Sequence, residues 1–207
     1  MNDRAAPTGT TWTARVRSRL GGALPLEHLL PDRQPYYVGS WVYVFGVMTI
    51  ASLIWVFVSG IVLSIFGPQW WHSSDLGRFV NSVHFWSVQA FFVFIVLHLW
   101  GQYFMAGWRD GRAATWVVGV VVFALSIVTA FTGYLSQQNF DSQWIAVNAK
   151  DAINGTGIGG LFNVLNFGQM YGLHVMLFPV LVTTMVVVHV IQVRLHGVVK
   201  PIEETAR

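Results

Sequence analysis

Residues 81–104 read NSVHFWSVQAFFVFIVLHLWGQYF, a stretch fit for lipid that nevertheless carries His84 and His98. Fourteen residues separate them. An α-helix turns 100° and rises 1.5 Å per residue, so the two imidazoles fall about 40° apart on one face and roughly 21 Å apart along the axis. A second apolar stretch, YGLHVMLFPVLVTTMVVVHVIQVR at 171–194, repeats the arrangement with His174 and His189. Here the interval is fifteen, about 60° off alignment and roughly 22 Å along the axis.

The rest of the chain supplies the setting. Of its 207 residues 54% are hydrophobic and 10% charged, and the mean hydropathy is +0.54. Soluble domains carry roughly a quarter charged residues, so the composition predicts a membrane bundle. Four segments, 41–66, 79–106, 114–136 and 171–194, reach the 20 or so apolar residues a span requires. The fold class expected is an all-α membrane protein: a four-transmembrane-helix bundle. Its parts are a basic N-terminal segment at 1–38, a four-helix domain at 39–197 and a tail at 198–207.

Of the twelve Lys and Arg, only Arg78 and Lys150 fall in the first and third connections. The remaining ten lie in the tails and the second connection, which predicts that both termini face the cytoplasm of a prokaryotic plasma membrane. No cysteine is present, which excludes disulfides, iron–sulfur ligation and thioether attachment of a cofactor. No basic patch interleaved with aromatics supports nucleic-acid binding. GTGIGG at 155–160 matches G-x-G-x-x-G, but no strand precedes it and it reads as a hinge.

Ionisable groups inside a membrane are functional candidates. The second and fourth segments run in the same direction, so His84 comes level with His174 and His98 with His189. Each pair can ligate a flat cofactor from both faces, and two neutral imidazoles on iron give a low-spin b-type haem that moves electrons. Two haems at two depths suit electron transfer across the membrane. The glycines share the interval: Gly46 and Gly60 in the first segment, Gly119 and Gly133 in the third. Small residues allow close approach, here expected to admit the two porphyrin edges. His28, His72 and His196 fall in tails or connections and read as solvated. Between the third and fourth segments, FDSQWIAV predicts a short surface helix through Phe140, Trp144 and Val147, with LFNVLNFG as its helical partner.

These residues carry a family resemblance. SVHFWS with its second histidine, the paired glycines, TGY at 132–134, H-x4-P from His174 to Pro179, and H-x4-R-x2-G-x3-P from His189 through Arg194 and Gly197 to Pro201 resemble the N-terminal half of cytochrome b. The likeness covers residues 25–201. The fifteen-residue interval and short chain are similar to the split, b6-type form. The family is that of quinol–cytochrome c and plastoquinol–plastocyanin oxidoreductases, the cytochrome bc complexes.

The resemblance implies that His84 and His174 ligate the outer, low-potential haem b, beside Gly60 and Gly133. It implies that His98 and His189 ligate the inner, high-potential one, beside Gly46 and Gly119. Arg194 would meet an inner propionate or a reduced quinone. Relatives commonly have arginine where Asn81 and Gly101 stand, so propionate pairing would move to Arg78 outside and to Arg109 or Arg112 inside. The Pro-Trp that follows the third helix in relatives is replaced in GYLSQQNFDSQW, where Asp141 reads as a solvated loop aspartate or as the one carboxylate there to take a quinol proton.

The implied function is a di-haem cytochrome b subunit of a quinol-oxidising complex. The competing one is a di-haem membrane anchor of another respiratory enzyme, a nitrate reductase or dehydrogenase. The chain ends after the fourth segment, so a subunit resembling the C-terminal half of cytochrome b is expected as partner. A Rieske iron–sulfur protein, a cytochrome c, quinone, membrane lipid and a second copy of the assembly are expected by the same resemblance.

Overall fold

The computed structural model describes residues 35–202, so the basic segment through residue 34, with His28, and the last five residues lie outside the described residues. A short 3-10 turn, Tyr36–Gly39, leads into helix α1, Trp41–Phe66. There follow α2, Pro68–Ser73, α3, Asp75–Phe104, α4, Ala113–Leu135, and α5, Phe140–Gly155. The chain closes with α6, Phe167–Gly172, a π-helical turn at Leu173–Leu177, and α7, Phe178–His196. The protein is an integral membrane protein: among the described residues four helices, Trp41–Phe66, Asp75–Phe104, Ala113–Leu135 and Phe167–His196, are long and apolar enough to cross a bilayer. In hydrocarbon each backbone N–H and C=O must be satisfied within its own segment, and a continuous helix does that.

The helix ends shift from the expected boundaries for local reasons. The second span starts at Asp75, not 79, because Ser74 caps it, its Oγ accepting from the Gly77 N–H at 3.3 Å. It stops at Phe104, two residues before Ala106 takes a left-handed φ of 50°. The fourth span starts at Phe167, not 171, because the Asn166 side chain accepts from the Gln169 N–H at 3.0 Å. It ends where Gly197 turns left-handed, φ 72°. The sequence reading gave no sign of α2, a single turn and a half opened by Gly67 and Pro68.

α1 packs on α3 and α4 on α7, two antiparallel pairs laid side by side. In lipid the drive for such contact is close packing, since a leucine is no worse solvated by acyl chains than by a helix. Between the two histidine levels Phe91 and Ile95 of α3 and Val122 of α4 are buried, packed against Leu53 and Val56 of α1, Val118 of α4, and Met185 and Val186 of α7. This plug separates the two ends of the bundle. Ile54, Ile61, Val93 and Trp100 are exposed on the membrane-spanning helices.

The end bearing the α1–α3 and α4–α7 connections is called the loop end, the other the terminal end. α5 is the expected surface helix: Phe140, Trp144 and Val147 are exposed, while Ala146 joins Leu135, Val164 and Met170 in a buried cluster. LFNVLNFG does not form its helical partner. Gln169 draws residues 161–163 into a loop instead, its Nε2 donating to Leu161 O and its Oε1 accepting from the Asn163 N–H, each at 2.7 Å.

Candidate cofactor-binding histidines

Each of the four membrane histidines lies flat against one glycine of the neighbouring helix. A Cβ on Gly46 would stand 3.2 Å from His98 Cε1, on Gly60 3.1 Å from His84 Cε1, and on Gly119 3.0 Å from His189 Cε1. On Gly133 it would overlap His174, 2.8 Å from both Nδ1 and Nε2. In this structure an imidazole ring lies against each of these four glycines. His84 and His174 share the loop end with Gly60 and Gly133. His98 and His189 occupy the terminal end with Gly46 and Gly119.

Three of the four rings are also fixed in rotation. His84 Nδ1 lies 3.1 Å from Val56 O, His174 Nδ1 2.9 Å from Thr129 O, and His189 Nδ1 3.1 Å from Thr115 O. In every case the carbonyl belongs to the residue four before the facing glycine. A carbonyl only accepts, so the hydrogen is on Nδ1 and the lone pair of the neutral ring is on Nε2, the tautomer a metal ligand needs.

The geometry fits iron held from two sides. The His84 and His174 ring centres are 6.2 Å apart. A metal between two imidazoles, with bonds of about 2.0 Å and roughly 1.1 Å from nitrogen to ring centre, requires roughly 6.3 Å. A cavity of about 490 Å³ opens beside this pair, bounded by Gly60, Phe92, Gly133 and Tyr171.

The unequal histidine intervals have a structural cause. Fifteen residues of regular α-helix would leave His174 and His189 about 60° out of register. The π-helical turn at Leu173–Leu177, which contains His174, takes up one extra residue. Fifteen residues therefore do the angular work of fourteen, and α7 matches α3.

Polar residues surround these pairs at both ends of the bundle. Arg194 is exposed at the end of α7. Arg78 pairs with Asp75 and donates to His72 O at 3.3 Å. Arg112, 8% exposed, is spent on the C-terminus of α7, donating to His196 O at 3.1 Å and Gly197 O at 3.3 Å. Arg109 donates to Lys200 O at 3.0 Å. Both guanidiniums thus meet backbone carbonyls of the C-terminal segment. At the cavity rim Asn81 and Gln137 exchange two amide hydrogen bonds, 3.0 and 3.2 Å, and His72 Nε2 lies 2.9 Å from Gln137 O. Asp141 is exposed on the same rim. His196 is exposed, 3.4 Å from Thr115 Oγ1. The sequence reading singled out neither Ser59, against His84, nor the capping role of Arg112; serine inside a membrane helix next to a glycine was the signal for the first.

Comparison with known proteins agrees with this architecture. Residues 89–207, more than half the chain, match the family described as Cytochrome b(N-terminal)/b6/petB, a span that includes His98, His174 and His189. Cytochrome b6 of Heliomicrobium gestii is 29% identical over 136 residues, 60% of this chain and 64% of that protein. Cytochrome b of Schizosaccharomyces octosporus is 28% identical over 209 residues, 89% of this chain and 53% of that one. A chain of a hyperthermophilic respiratory Complex III superposes with a TM-score of 0.69 at 19% identity, covering 89% of this chain and 53% of its own, a likeness of fold. The chain thus spans between half and two thirds of the length of these relatives.

Proposed function

We propose, for a chain that belongs to the cytochrome b N-terminal and b6 family, the role of di-haem electron-transfer subunit in a quinol-oxidising complex of the bc type. The observation that carries this is the repeated unit of histidine, facing glycine and turn-preceding carbonyl, present at both ends of the bundle. His84 with His174, and His98 with His189, would hold one haem b each. When bound, each haem supplies one-electron oxidation and reduction at its iron.

The protein's own part is positional. The glycines let the rings approach the helix backbones, and the carbonyls of Val56, Thr129 and Thr115 keep Nε2 turned to the metal. The plug of Phe91, Ile95 and Val122 excludes water between the two levels, so charge crosses the middle of the membrane as electrons and not as ions. Quinol would donate at the loop end, where Asn81, Gln137 and Asp141 rim the cavity, and quinone would accept near the terminal end. Arg109, Arg112, Arg194 and Lys200 all lie at the terminal end, which supports placing it in the cytoplasm of a prokaryotic cell. A C-terminal-half cytochrome b subunit, a Rieske protein and a cytochrome c would complete the complex, in two copies.

A reduced-minus-oxidised difference spectrum of the purified membrane complex tests the reading. It predicts b-type bands that quinol can develop. Bands that dithionite develops and no quinol does would instead favour an anchor subunit of another respiratory enzyme.

A further inference from the structure

The four rings are not held equally. His84 has two acceptors at Nδ1: Val56 O at 3.1 Å and Ser59 Oγ at 3.0 Å. Ser59 is 4% exposed, and its single hydroxyl proton faces the carbonyls of Trp55 at 2.6 Å and Val56 at 3.2 Å, which leaves an oxygen lone pair for the imidazole. His174 and His189 have one acceptor each. His98 Nδ1 is buried with none among the described residues, although Val42 precedes Gly46 by four residues, as Val56 precedes Gly60. The residue just before the facing glycine is Ser59 on one side and Phe45 on the other.

We propose that Ser59 is a positioning residue that acts through His84 on the loop-end metal, and that the missing partner of His98 is its counterpart at the terminal end. This rests on the bis-histidine reading above. An acceptor at Nδ1 draws the N–H toward it and raises electron density at Nε2, which strengthens the ligand and favours the oxidised, more positive iron. With three Nδ1 contacts at the loop end against one at the terminal end among the described residues, the loop-end iron is the harder to reduce. The inequality directs an electron inward, and one hydroxyl carries much of it.

Potentiometric titration of the b-type bands in membranes holding the assembled complex tests this, with the terminal-end centre identified by its loss in His98→Ala. In Ser59→Ala the loop-end midpoint moves upward while the terminal-end midpoint stays. Ser59→Thr, which keeps a hydroxyl, restores it. Phe45→Ser sets a hydroxyl beside His98 in the place Ser59 has beside His84, and moves the terminal-end midpoint downward. If Ser59→Ala cannot be assembled, the Phe45→Ser result decides. Unmoved midpoints at full haem content overturn the inference and leave the haem reading standing. A wild-type complex without haem removes both.

Discussion

A methyl group on Gly133 would collide with the ring of His174, with Nδ1 and Nε2 each only 2.8 Å away. The contact lies where the π-helical turn of the fourth span meets the last turns of α4, and it is the tightest of the four glycine–histidine contacts. Real Cβ atoms do not approach so closely, so any side chain here displaces the ring or the helix that carries it.

Gly133→Ala should therefore lose the loop-end haem, a fall of about half in pyridine-haemochrome content per chain. Gly46→Ala, facing a ring 3.2 Å away, should retain most of its haem. Retention in Gly133→Ala equal to that in Gly46→Ala would show that the collision is absorbed elsewhere.

The π turn gives a register prediction. Deleting Met176, exposed and inside the turn, converts it to ordinary α-helix and leaves His174 and His189 fourteen residues apart, as on α3. Both haems should remain. Deleting Val187 instead rotates His189 by about 100° relative to His174 and should abolish the terminal-end haem. Equal haem content in the two deletion variants would contradict the register argument.

Arg112 is buried and donates to the last carbonyls of α7, so Arg112→Ala strips several acceptors of their partner at once. A loss of roughly 1–3 kcal/mol is expected, read as a lowered melting temperature in detergent, with both haems retained at low temperature. Loss of the terminal-end haem at low temperature, with the fold intact, would give Arg112 a cofactor role beyond capping.

Asn81 and Gln137 tie α3 to the turn after α4 with two neutral hydrogen bonds. Asn81→Leu should cost roughly 1–2 kcal/mol by leaving the Gln137 amide unpaired at the rim. It should also raise the KM for quinol more than it lowers kcat, because the pair borders the cavity and its two side chains bond each other rather than any of the four membrane histidines. An unchanged KM would remove the pair from the substrate's path.

Much of this was legible in the sequence because period and composition suffice for it. Twenty-residue apolar runs specify spans, and His84 with His98 at a near-integral number of turns specifies one face. The fifteen-residue gap between His174 and His189 left a 60° discrepancy that only a local change of helix type resolves, and a π turn leaves no composition signal. α2 was hidden because six residues carry too little periodicity. LFNVLNFG looked amphipathic, yet asparagine and glutamine side chains compete with helix hydrogen bonds, and Gln169 won that competition. The arginines were legible as charges but not as caps, since what Arg112 reaches depends on where α7 ends.

The central claim is that two independent bis-histidine centres occupy the two ends of one bundle. Haem stoichiometry and the difference spectrum, measured together on wild type, His84→Ala and His98→Ala in the assembled complex, test it most directly. Two haems per chain in wild type, and one in each variant with a different half of the spectrum missing, is the predicted result, because the apolar plug at Phe91, Ile95 and Val122 keeps each site's packing separate. One haem per chain in wild type, or the same spectral component lost in both variants, would contradict it.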